Sequence, residues 1–178
     1  MLDDHGFEIY EQNQFPLAYL LTFRTFGTWL HGDKRLSVGR NGRNIFRSPK
    51  IEVNPGLEAW MVEEMSRAPV MLSEGMRKVV ESSISELCSR RGYRLYASNV
   101  RTNHVHAVIG AQRKPERIIN DLKANATRLL RLQSLVESDG RVWSRGRSRR
   151  YLWKPRHVDA AIDYVLYGQG DIPFELPD

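Results

Sequence analysis

Apolar and polar positions along the chain follow two different periods, separated by stretches with neither. Ala18 to Phe26 is a dense run of aromatic, β-branched and leucine residues and predicts a strand that is at least half buried. From Gly27 to Pro69 the period is broken by Gly32, Gly39, Gly42, Pro49, Pro55 and Gly56. This predicts a long insertion at about residues 27–69, carrying a short helix at Leu57 to Ser66. Ser73 then offers an N-cap, and Met76, Val79, Val80, Ile84, Leu87 and Cys88 recur at helical spacing until Gly92 supplies a stop. Tyr93 to Val100 and His104 to Ala111 read as two strands, and the short Arg101-Thr102-Asn103 link suits an antiparallel hairpin.

Pro115 opens a second long helix, in which Ile118, Ile119, Leu122, Ala126, Leu129 and Leu132 form an apolar stripe opposite Arg117, Lys123, Asn125 and Arg128. A basic, poorly periodic stretch from Arg141 to Arg150 leads into Tyr151-Leu152-Trp153, a short candidate strand. A last helix is predicted from Val158 to Tyr167, closed by Gly168 and Gly170. The order is strand, insertion, helix, strand, strand, helix, strand, helix. It predicts an α+β protein: a ferredoxin-like split β-α-β antiparallel sheet with a C-terminal helix, in one domain spanning residues 1–178.

Charge changes the picture. The 178 residues carry a formal net charge of +6, which points to a polyanionic partner once the cations cluster. Cys88, the single cysteine, excludes an internal disulfide framework and a Cys-based zinc module. Neither a secretory leader nor an apolar run long enough to cross a bilayer is visible, so no membrane association is expected and the expected location is the cytoplasm.

The chemistry concentrates in Asn103-His104-Val105-His106. Strand alternation projects His104 and His106 from one face, where two imidazoles suit one divalent ion; a lone pair of this kind also describes ordinary half-exposed strand histidines. Context separates the two. The phrase Thr102-Asn103-His104-Val105-His106-Ala107-Val108, on the third strand directly after a hairpin, resembles the HUH signature of the single-tyrosine transposases, with the REP-associated tyrosine transposases as the nearest subgroup. The resemblance runs from the first strand to the final helix and leaves the insertion unmatched.

That resemblance implies a metal-dependent endonuclease and strand transferase acting on single-stranded or hairpin DNA. His104 and His106 would bind Mg²⁺ or Mn²⁺, and a tyrosine on the C-terminal helix would form a 5′-phosphotyrosine intermediate. Free tyrosine has a pKa of about 10 and needs such activation at neutral pH. Tyr164 holds the family position, and Tyr167, three residues later on nearly the same helical face, is the competitor. Gln169 is the nearest candidate for a third metal ligand, one residue further along than a regular match, and Asp163 is the alternative.

Arg145, Arg147, Arg149, Arg150, Lys154 and Arg156, interleaved with Trp143, Tyr151 and Trp153, have the composition of a surface that contacts phosphates and stacks bases. A second basic group, Lys34, Arg35, Arg40, Arg43, Arg47 and Lys50, lies in the insertion. Relatives of this type include monomers and homodimers, and both states remain open. Two other readings fit the residues: a binding module that has lost cleavage, and a metal phosphodiesterase that uses water as nucleophile.

Overall fold

A computed structural model describes residues 15–29, 37–38, 50–65, 67–168 and 174–177. In chain order the elements are β1 (Ala18–Thr25), β2 (Ser37–Val38), β3 (Lys50–Ile51), α1 (Pro55–Glu63), α2 (Glu74–Arg91), β4 (Arg94–Val100), β5 (His104–Gly110), α3 (Pro115–Leu132), β6 (Trp143–Leu152) and α4 (Pro155–Tyr167). The main sheet has the order β4-β5-β1-β6 with every neighbouring pair antiparallel, and β2 pairs with β3 inside the insertion. This is the expected α+β, ferredoxin-like arrangement.

Local chemistry places the helix ends. Ser73 accepts from the Met76 amide at the start of α2, and Gly92 ends it at φ 68°, a left-handed conformation that a side chain would strain. Asn54 accepts from the Leu57 amide, and Pro55 fills the first turn of α1, so that helix starts slightly earlier than predicted. Ser66, its predicted last residue, lies outside the described residues.

Alternation along β1 and β5 builds two cores. Tyr19, Leu21 and Phe23, with Val105, Ala107 and Ile109, pack against Val80, Ile84 and Leu87 of α2 and Ile118, Ile119 and Leu122 of α3. On the other face Ala18, Leu20, Ala97, Val108 and Leu152 meet Val158, Ala161 and Val165 of α4. Each large apolar side chain buried in these layers contributes about 1.5–3 kcal/mol. Because α4 covers only the Leu20–Val108 end of its face, the polar residues further along β1 and β5 lie beside it, where a site can form.

Three expectations need correction. The last strand is not the short Tyr151-Leu152-Trp153 segment but the ten-residue β6, whose backbone pairs with β1 from Ala18–Leu152 to Thr25–Trp143. Its side chains are mostly exposed and basic because it is an edge strand, and that composition hides the period while protecting the edge from further pairing. Asn125 is not on the polar side of α3. It is buried, donating to the Ser83 carbonyl at 2.9 Å and accepting from Arg128 at 3.0 Å, so its amide is satisfied between α2 and α3. Leu130 continues the buried stripe, while Leu132, the last residue of the helix, is 73% exposed.

Candidate metal and nucleophile site

β5 places His104 and His106 side by side on the α4 face, with ring centroids 4.8 Å apart. Each ring is held through Nδ1. Asn103 Oδ1 lies 2.6 Å from His104 Nδ1, and because an amide oxygen only accepts, the ring donates there and leaves Nε2 with its lone pair. Asn103 is itself anchored, its carbonyl accepting from the Thr25 amide at 2.9 Å and the Thr25 hydroxyl at 3.1 Å. Across the β1–β5 ladder Thr22 pairs with His106, and its Oγ1 sits 2.8 Å from His106 Nδ1.

The electrostatics suit a neutral ligand. Burial, and then the charges of His104, Arg24 and Arg101, push the His106 pKa down to about 3, so at neutral pH no proton competes for its lone pair. Arg24 is the cross-strand partner of His104 and lies over the Trp29 ring at 3.0 Å from its centroid. It shares the neighbourhood with exposed Arg101. Two oriented imidazoles offer lone pairs to a divalent cation, whereas the charges of Arg24 and Arg101 oppose a cation and favour a phosphate.

Tyr164 of α4 completes the group. Its half-buried ring lies edge-on to His106, centroids 5.5 Å apart, with Phe174 on another side at 5.3 Å. Tyr167 is 82% exposed, and Asp163 lies on the exposed side of α4. Gln169 falls outside the described residues, as do His31, His5 and most of the insertion's basic group; of Lys50, only the backbone is described. Among the described residues no set of three histidine, cysteine or acidic side chains gathers as a metal cluster.

Strand pairing divides the predicted basic surface. Arg145 and Arg147 line a groove of about 780 Å³ with Lys123, Arg128, Arg131 and Arg141, on the α3 side of the sheet. Arg149, on that side too, is ion-paired with Glu116 at 2.6 Å. Arg150 pairs with Leu20 and therefore belongs to the α4 face, and Lys154 and Arg156 stand at the start of α4. Trp143 does not offer a stacking surface: it is buried against Phe23, and its indole N–H donates to the Lys123 carbonyl and the Thr127 hydroxyl. Tyr151 and Trp153 stack on each other with planes 16° apart.

Thr22, Arg24, Asn99 and Arg101 belong to no motif that marks them as site residues. The one available signal was in β1, where Leu20, Thr22 and Arg24 alternate with the wholly apolar Tyr19, Leu21 and Phe23, marking a face that turns polar along its length.

The family match and the antiparallel sheet together place the chain among transposase-type, DNA-processing proteins. The chain belongs to the IS200-like transposase family, whose model matches residues 60–158, a span that contains the histidine strand and stops before Tyr164. A REP-associated tyrosine transposase bound to a REP hairpin shares its fold: 9% identity, TM-score 0.50, covering 90% of this chain and 72% of that one. A candidate transposase from Deinococcus radiodurans R1 is similar at 15% identity and TM-score 0.49, with 91% and 97% covered. No curated protein matches the sequence. Among the described residues no helix is long and apolar enough to cross a membrane.

Proposed function

We propose that this protein nicks and rejoins single-stranded DNA, with Tyr164 as nucleophile and His104 and His106 as ligands of a divalent cation, Mg²⁺ or Mn²⁺. The observation that carries the reading is the Tyr164 ring against His106 in a chain of this family. The cation, when bound, supplies Lewis-acid polarisation of the scissile phosphate. Tyr164 Oη gives up its proton and bonds to phosphorus, the bond to the 3′-oxygen breaks, and that oxygen leaves as a protonated 3′-hydroxyl. The phosphotyrosine ester then accepts attack by another 3′-hydroxyl, restoring the phenol. Arg24 and Arg101 offset phosphate charge beside the histidines.

The DNA is a single strand carrying a hairpin. Arg145 and Arg147, with the other cations of the α3 groove, contact phosphates, while Arg150, Lys154 and Arg156 serve the strand on the α4 face. Arg149 contributes less, its charge being offset by Glu116. Residues 1–178 act as one domain, with residues 27–69 as an insertion. Gln169 is the proposed third ligand.

Incubation with Mn²⁺ and a labelled hairpin-bearing single strand is expected to give a covalent protein–DNA adduct, abolished by Tyr164→Phe and by His106→Ala. An adduct that survives Tyr164→Phe and disappears in Tyr167→Phe would move the nucleophile, and cleavage without attachment would point to water.

A further inference from the structure

We propose that Asn99 is a positioning residue that pins Tyr164 against the histidine pair of its own chain. This rests on the cleavage reading above and adds the device that assembles the site. Asn99 lies on β4 as the register partner of His106, and its Nδ2 donates to the carbonyl of Val165, 3.1 Å away. Val165 follows Tyr164 directly in the last turn of α4. One hydrogen bond therefore ties the helix end that bears the nucleophile to the strand that flanks the metal-binding strand.

The surroundings make that tie matter. Val158, Ala161 and Val165 seat α4 in the apolar layer, while Tyr164, Leu166 and Tyr167 of its last turn are half-buried or exposed. Gly168 fits closely over Tyr164, since a Cβ built there would lie 3.1–3.3 Å from its atoms, and the Gly168 amide donates to the Tyr164 carbonyl at 3.0 Å. Apolar contacts tolerate sliding; a directional bond to a backbone carbonyl sets the height of the last turn. Small displacements from an attacking geometry lower rates steeply, about a hundredfold per ångström in sensitive cases.

The test compares wild type, Asn99→Ala and the volume-conserving Asn99→Leu in single-turnover adduct formation, with Mn²⁺ and hairpin affinities measured separately. Expected is a fall of about tenfold or more in the rate constant, with both affinities within threefold. A 3-fluorotyrosine at position 164 should show its ¹⁹F resonance displaced in both Asn99 variants in the direction that His106→Ala moves it. A mixture of His106→Ala and Tyr164→Phe proteins should form no adduct. Unchanged rate constants with an unmoved resonance would overturn the proposal, and so would an adduct restored in the mixture. If wild type itself forms no adduct, the cleavage reading fails, and the ¹⁹F comparison still decides whether Asn99 positions the ring.

Discussion

Replacing Thr22 by valine exchanges one hydroxyl for a methyl group of nearly the same size and retains the β branch that favours a strand. What is lost is the 2.8 Å contact to His106 Nδ1, on a residue only 8% exposed, so water has little access to replace it. Two consequences follow. Without metal, a ring nitrogen is left buried and unsatisfied, at about 1–3 kcal/mol of stability. With metal, the ring loses the partner at Nδ1 that holds its orientation and its tautomer; outer partners of this kind are worth about 10- to 100-fold in affinity, or about 1.4–2.8 kcal/mol. Mn²⁺ titration by calorimetry at pH 7.5 measures the second, urea unfolding in EDTA the first, and long-range ¹⁵N spectra of the imidazole report the tautomer directly. A folded Thr22→Val protein that binds Mn²⁺ as tightly as wild type, with the same tautomer, would refute the reasoning.

Two further outcomes are expected. The His157 pKa is lowered by burial, then by Lys154 and Arg156, against the opposing hydrogen bond to the Pro177 carbonyl. Below about pH 6.5 the unfolded chain takes up a proton that the folded chain resists, so this histidine makes stability fall as pH drops. His157→Gln should therefore flatten the urea-unfolding profile between pH 6.5 and 5, and parallel profiles would contradict this. Arg145→Ala and Arg147→Ala should weaken hairpin binding and reduce the slope of log K against log salt by about one each, as lost phosphate contacts do. An unaltered slope in fluorescence anisotropy would remove the α3 groove from the DNA path.

Much of the architecture was legible because it is local. The 3.6-residue period of α2 and α3, the serine and glycine that bound α2, and the hairpin between β4 and β5 are properties of neighbouring residues, and they lie where the sequence places them. The histidine pair was legible for the same reason, since alternation alone puts His104 and His106 on one face. β6 was only partly legible: its arginines respond to solvent at a sheet edge and carry no apolar period. Asn125 was assigned to the wrong side of α3 because its burial depends on a carbonyl of α2, 42 residues away.

By itself, then, the sequence determined most of the elements of the main sheet and its helices, the fold class and the imidazoles available to a metal, since each depends on spacings within a few residues; the β2–β3 pair and the length of β6 it did not. Tertiary structure decided the rest. It brought Thr22 across 84 residues to orient His106 and set Tyr164 rather than Tyr167 against that ring. It also sent Arg145 and Arg147 to one face of the sheet and Arg150 to the other. The physical reason is that these relations exist only after strands pair in register and a helix chooses a face, and no local pattern encodes which distant residue will complete a hydrogen bond.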